Sequence, residues 1–223
     1  MFEVIPAVLG ADPLRIGDAV AAAQNAGATM LHLDVMDGCF VDDISFGLRT
    51  VREVARVTRL PLDVHLQTVD PDRMIGELCQ TPVHLVTIHV ESARDLARCM
   101  RKLATAGMSR AVALNPATPL ASVAEVLEDV EQVTVMTSSP GTSDFLPYTV
   151  AKVRRLRDLL DERGLDDVTI AVDGGVNGAR ARDLVGAGAR RLVAASAVFR
   201  HPDGVGAGLA ELASAGRAVA GPR

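Results

Sequence analysis

Eight short apolar, β-branched runs alternate with eight amphipathic segments along this chain, and no other feature limits its fold so tightly. The runs fall near residues 3–8, 29–35, 61–66, 83–89, 110–114, 132–137, 168–173 and 190–195. The amphipathic segments fall near 14–26, 47–57, 71–80, 93–106, 119–129, 147–163, 177–187 and 203–216. Pro13, Pro71, Pro119 and Pro147 stand where helices should begin, because a first helical turn tolerates a missing N–H. Gly27, Gly107, Gly164 and Gly188 stand where helices should stop. Eight strand–helix pairs in 223 residues is the number that a small (β/α)8 barrel of the TIM type requires. A doubly wound open sheet is the alternative. It needs a glycine-rich turn after its first strand, and Ala7-Val-Leu-Gly-Ala-Asp12 makes a poor one. No linker or low-complexity tract divides the chain, so residues 1–223 are expected to form a single α/β barrel domain, with 48% hydrophobic residues to build its core.

A net charge of -5, with no basic cluster on any expected face, argues against a nucleic-acid or membrane-surface partner. No apolar run approaches the roughly 18 residues that a membrane span needs. The opening Met-Phe-Glu-Val-Ile-Pro lacks the charged and apolar regions of a signal peptide. Cys39, Cys79 and Cys99 are odd in number and share no CxxC spacing, which fits reduced thiols and a cytoplasmic location.

Three of the strand-like runs are polar on one face. In Met30-Leu-His-Leu-Asp-Val-Met-Asp-Gly-Cys-Phe-Val41, alternation sends His32, Asp34 and Met36 one way and Leu31, Leu33 and Val35 the other, before Asp37-Gly38 signals a turn. Leu62-Asp-Val-His-Leu66 does the same with Asp63 and His65, and Thr169-Ile-Ala-Val-Asp173 delivers a carboxylate just before Gly174-Gly175. Burying such faces without partners costs several kcal/mol per charge. Two His and two Asp from three strands can satisfy one another around a metal ion. In a barrel of this kind the chemistry belongs at the C-terminal ends of the strands. His32 and Asp34 are expected to close strand 2, His65 strand 3 and Asp173 strand 7. Each of these residues taken singly also fits a hydrogen-bonded core group.

The residues that repeat this pattern resemble the ribulose-phosphate 3-epimerases over nearly the whole chain. His-Leu-Asp-Val-Met-Asp-Gly at 32–38 with Phe40-Val41, and Pro-Leu-Asp-Val-His-Leu at 61–66, are the specific matches. Weaker ones are His89-Val-Glu91, Leu114-Asn-Pro-Ala-Thr-Pro119, Met136-Thr137 with Pro140-Gly141, and Val172-Asp-Gly-Gly-Val176, while Leu192-Val-Ala-Ala-Ser-Ala-Val-Phe199 looks like the family's last strand. The resemblance implies a ribulose-phosphate-binding (β/α)8 barrel that inverts a carbinol centre beside a ketone. It implies one divalent ion (zinc, iron or manganese) held by His32, Asp34, His65 and Asp173. Epimerisation at C3 of a 2-ketose removes a proton from one face and returns one to the other, so it needs an acid–base group on each side of an enediolate. Asp34 and Asp173 are the expected pair, and Asp63 is expected to orient His65 from behind. Met36 and Met136 are expected to wall the reacting carbons, with plain core packing as the other reading.

Departures from the family gather where a substrate would be held. Pro6-Ala7 stands for Pro-Ser, Gln67 stands where a methionine is usual, Thr142-Ser-Asp-Phe145 replaces a glycine-rich segment after Pro140-Gly141, and Ala195-Ser196 stands for Gly-Ser. The expected substrate contacts are therefore Met36, Gln67, Met136, Gly141, Thr142, Ser143, Gly174, Gly175, Ala195 and Ser196, with Arg200 as a compensating cation or a surface residue. Asp144 would repel a phosphate if it turned inward. His84, His89 and His201 are read as packing or surface residues. The substrate is expected to be a small sugar phosphate of the D-ribulose 5-phosphate to D-xylulose 5-phosphate type. An unphosphorylated or different ketose in a specialised sugar pathway is the first alternative, and a non-catalytic sugar-phosphate-binding barrel the second. Lysine-dependent chemistry is disfavoured, since Lys102 and Lys152 both fall inside expected helices. The sequence leaves the oligomeric state open, homo-oligomers included.

Overall fold

A computed structural model describes residues 2–217; Met1 and residues 218–223, which the single-domain expectation also covers, lie outside the described residues. The eight runs form β1 (Glu3–Pro6), β2 (Leu31–Met36), β3 (Leu62–Gln67), β4 (Leu85–His89), β5 (Ser109–Leu114), β6 (Gln132–Met136), β7 (Thr169–Asp173) and β8 (Arg191–Ala194). All seven ladders are parallel, in the order β1-β8-β7-β6-β5-β4-β3-β2. A parallel bridge from Ala7 to His32 joins the two ends of the sheet, giving a nearly closed (β/α)8 barrel.

Alternation along each strand divides two packing layers. Leu31, Leu33, Val35, Leu62, Val64 and Leu66 face outward into the main core, and Val51, Val54, Ile75, Leu78, Leu156 and Leu160 join the same cluster from the helices. Ile5, Ala7, Met30 and Val193 form a separate cluster. Those helices are α1 (Ile16–Asn25), α2 (Leu48–Val57), α3 (Pro71–Leu78), α4 (Leu96–Thr105), α5 (Thr149–Glu162), α6 (Gly178–Gly186), α7 (Ser196–Phe199) and α8 (Val205–Arg217). The Asp95 and Asn177 side chains cap α4 and α6 by accepting from Arg98 N and Arg180 N. Gly27, Gly107, Gly164 and Gly188 all take positive φ where their helices end.

Two expected elements differ. The segment at 119–129 is not an α-helix but two 3₁₀ turns, Leu120–Ser122 and Ala124–Asp129. The backbone there closes i→i+3 bonds, from Ser122 N to Pro119 O, Val123 N to Leu120 O and Val126 N to Val123 O. The run Leu192–Phe199 is not one strand. β8 stops at Ala194, and Ser196–Phe199 is helical. An apolar run of that length does not distinguish strand from helix by its pattern.

Candidate active site

The β2–β3 register sets His32 beside Asp63, Asp34 beside His65, and Met36 beside Gln67. Inward-facing side chains of the two strands therefore form rungs across the barrel wall. His32 is the second residue of β2 rather than its end, yet the bridge to Ala7 puts it level with the end of β1. The stagger of the barrel strands thus brings it up to the mouth.

His32, Asp34, His65 and Asp173 converge: one ligand atom from each lies within 4.8 Å of all the others. His32 Nε2 is 3.2 Å from Asp34 Oδ1 and 3.7 Å from Asp173 Oδ2. His65 Nδ1 is 3.2 Å from Asp34 Oδ1 and 3.5 Å from Asp173 Oδ2. Two imidazole nitrogens and two carboxylate oxygens turned to one point fit a divalent cation, and such a mixed donor set suits zinc, iron or manganese. Both imidazoles are fully buried, as is nearly all of Asp34, whereas Asp173 is the open edge of the group. Burial alone would raise the Asp34 carboxyl. The charge of His32 and hydrogen bonds from both imidazoles outweigh it and hold the group well below the ordinary carboxylate range. Burial alone would lower His32, but Asp34 and Asp63 together raise it, and His65 is likewise raised against burial by its bonds to Asp173 and Asp34.

Asp63 does not orient His65 as the sequence reading expects. Its Oδ2 meets His32 Nδ1 at 2.8 Å, and its Oδ1 accepts from Thr87 Oγ1 at 2.9 Å. Residues two apart on one strand lie nearly 7 Å apart, while neighbours across a ladder are about 4.8 Å apart, so the cross-strand rung wins. His65 instead stacks on His89, with ring centroids 4.9 Å apart and planes 15° from parallel. Phe40 closes the other side of His89 at 4.7 Å. Burial keeps His89 below the usual histidine range, and its Nδ1 meets Glu91 Oε2 at 3.0 Å. Glu91 also accepts from Asn115 N at 2.7 Å and from Thr118 Oγ1. Lys152 braces the same loop by donating to the carbonyls of Asn115, Pro116 and Thr118. Burial pushes its ammonium down to about 8, but its partners are backbone oxygens and it does not line the cavity described next. The link from His89 and Glu91 through the Asn115–Thr118 loop to Lys152 is absent from the sequence reading because that loop and Lys152 lie far along the chain from Glu91.

A cavity of about 320 Å³ opens beside this group of four residues. Asp34 and Asp173 both border it, and so do Met36, Gln67, Met136, Gly141, Thr142, Ser143, Gly174, Gly175, Ala195 and Ser196. Leu9 and Gly10, which the sequence reading omits, also line it; an apolar turn after β1 gave no polar signal. Gly174 packs so tightly on Ser138 that a Cβ there would collide with its hydroxyl, which keeps the two loops together. Arg200 lines the cavity and donates from Nε to Gly10 O at 3.3 Å. Asp144 is exposed and is not among the lining residues. His84 is exposed, and His201 pairs with Glu211. All three cysteines are free thiols, and no helix among the described residues is long and apolar enough to cross a membrane.

The profile of the Ribulose-phosphate 3 epimerase family matches residues 3–199. The ribulose-phosphate 3-epimerase of Bacillus subtilis (strain 168) is 37% identical over 205 residues, covering 91% of this chain and 94% of that protein. That of Methanocaldococcus jannaschii is 38% identical over 205 residues, covering 91% and 86%. The chloroplastic ribulose-5-phosphate-3-epimerase of Arabidopsis thaliana is 38% identical over 204 residues, covering 90% and 72%. Among solved structures, Mycobacterium tuberculosis tryptophan synthase superposes with a TM-score of 0.73 at 14% identity, covering 97% of this chain and 93% of that one. Orotidine 5'-phosphate decarboxylase from Pyrococcus horikoshii OT3 gives 0.68 at 14% identity, covering 98% and 100%. At that identity the structural likeness speaks for the barrel alone.

Proposed function

Because the chain belongs to the ribulose-phosphate 3-epimerase family, and is thus an epimerase acting on a carbohydrate, we propose that it inverts C3 of a ketose phosphate by two-base proton transfer. The observation that carries this reading is the pair Asp34 and Asp173, which reach one cavity from β2 and β7 and share the same two imidazoles. One carboxylate takes the C3 proton from a face of the sugar, and the other returns a proton to the opposite face of the planar enediolate. Their roles exchange with the direction of reaction. His32 and His65, each opposed to both aspartates, hold these groups at the reacting centre. A divalent cation held by His32, Asp34, His65 and Asp173 supplies, when bound, positive charge that polarises the ketone. Met36 and Met136 form polarisable apolar walls that keep water from the reacting carbons. The loops carrying Gly141, Thr142 and Ser143, Gly174 and Gly175, and Ala195 and Ser196 hold the far end of the substrate.

The test is incubation of the metal-loaded protein with D-ribulose 5-phosphate and a panel of other ketoses in deuterated water. Solvent deuterium should enter at C3 as the epimer forms. A protein that leaves every ketose unlabelled sinks the reading.

A further inference from the structure

Gln67 is a buried polar side chain in the cavity wall that the proton-transfer scheme leaves without work. It is 2% exposed, at the end of β3, level with Met36 and adjoining the cavity. Its amide nitrogen donates to Asp34 Oδ1 at 2.8 Å and lies 3.4 Å from His65 Nδ1. Its amide oxygen is buried and has no hydrogen-bond partner among the described residues. The sense of the amide follows from its neighbour. An ionised carboxylate only accepts, so the NH₂ end must face Asp34, and the oxygen is left as a fixed acceptor. A buried acceptor without a partner is unfavourable unless a ligand supplies a donor. A methionine at this position would have neither end of that amide.

Building on the epimerase reading, we infer that Gln67 is a specificity-determining residue. Tethered by Asp34, it accepts a hydrogen bond from a ketose hydroxyl on a carbon flanking the C2–C3 pair. Asp34 must reach C3, and the amide is bonded to Asp34, so, beyond the C3 hydroxyl that the reaction itself engages, the hydroxyls within its range are those on C1 and C4. A ketose that lacks the matching hydroxyl leaves Oε1 buried and unpaired. The site therefore selects for a substrate hydroxyl that a methionine-lined site does not sense.

The experiment compares binding of D-ribulose 5-phosphate with that of its 1-deoxy and 4-deoxy analogues to the metal-loaded protein by calorimetric titration. The same set is run on Gln67→Met and Gln67→Leu. In the wild type, one of the two deoxy analogues should bind on the order of 10- to 100-fold more weakly than the parent sugar. In both variants that ratio should shrink several-fold, whatever the absolute affinities become. A wild type that binds both deoxy analogues as well as the parent overturns the inference, even if neither variant folds. Equal ratios in wild type and variants overturn it too, as does a wild type that binds none of the three sugars. Deuterium incorporation is scored separately. Discrimination without exchange leaves this inference standing and defeats the epimerase mechanism; exchange without discrimination does the reverse.

Discussion

Asp63 holds His32, not His65: its carboxylate sits 2.8 Å from His32 Nδ1 while Thr87 Oγ1 anchors its other oxygen. A carboxylate on one ring nitrogen fixes the tautomer of the neutral ring and leaves the opposite nitrogen, Nε2, turned to the point where Asp34 and Asp173 converge, where it can ligate a cation. Burial would raise Asp63, and the neighbouring His32 overcomes that and keeps it ionised.

Asp63→Asn should therefore weaken divalent-metal binding by about 10- to 100-fold without unfolding the barrel, since such backing groups typically contribute that much. Elemental analysis of protein purified without chelator should find about one metal equivalent in the wild type and less in the variant. Competition with a chromogenic chelator gives the affinity ratio. An unchanged ratio means that Asp63 is only a packing partner.

Asp34→Asn and Asp173→Asn should each lower turnover by about 10²–10⁴-fold, with loss of metal affinity adding to that. Circular dichroism and thermal melting should show both variants folded, because the groups stand at the barrel mouth and not in its core. Single-turnover exchange in deuterated water separates the two: a carboxylamide on one side removes proton transfer on that face. Near-normal rates in either variant would show that the acid–base roles lie elsewhere.

The barrel was legible because its signals are local and repeated. Pro71 opens α3, Gly27, Gly107, Gly164 and Gly188 close helical segments, and the apolar alternation of Leu31, Leu33 and Val35 marks an outer strand face. The convergence of His32, Asp34, His65 and Asp173 was legible too, since inward-facing residues of parallel barrel strands gather toward one rim, but the stagger that lifts His32, second in β2, to that rim was not. What escaped depends on lateral spacing. The partner of Asp63 is set by the β2–β3 register, which no single run encodes. The His65–His89 stack and the Glu91–Thr118 bond likewise join separate strands and loops. The 3₁₀ path at Ala124–Asp129 escaped for another reason: the spacing of the buried Val123, Val126 and Leu127 fits an α-helix and a 3₁₀ path alike.

Glu91 should make stability depend on acid. Burial would raise its carboxyl, but hydrogen bonds from His89, Thr118 and Asn115 N bring it down to about 2 from an ordinary 4.5. A carboxylate with a depressed folded value stabilises above the unfolded one, and that contribution is lost as pH falls from 4.5 toward 2. The difference corresponds to at most about 3 kcal/mol at neutral pH for this side chain, which is only 21% exposed. His89, held below 6.5 by burial, acts in the same direction, since the unfolded chain takes up its proton first as pH falls. Glu91→Gln should lower the melting temperature at neutral pH and flatten its decline below pH 4.5. Parallel melting curves across that range would show that the Glu91 bonds contribute nothing net.

Substrate grip turns on Arg200. It stands just beyond α7 and lines the cavity with Ala195, Ser196, Gly174 and Gly175, where a phosphate would meet loop N–H groups. Asp144, the residue that would repel a dianion, is exposed and away from the cavity lining. Gly175 takes positive φ, and a Cβ there would press on the Ser143 carbonyl, so the loop after β7 needs glycine to lie against the loop after β6. If the loops carrying Thr142 and Gly175 take a phosphate, the guanidinium supplies positive charge to hold it. Arg200→Met should then raise the KM for a ketose phosphate by about tenfold, because one charge-assisted bond to a partly solvated anion is lost. The kcat should hardly change, since Arg200 bonds to Gly10 O and not to Asp34 or Asp173, and turnover of free ketoses should be unaffected. Added salt should weaken the wild type toward the variant. A wild type that processes a free ketose as well as its phosphate, with no response to Arg200→Met, would mean that the site has no phosphate grip and that its altered loops serve an unphosphorylated sugar.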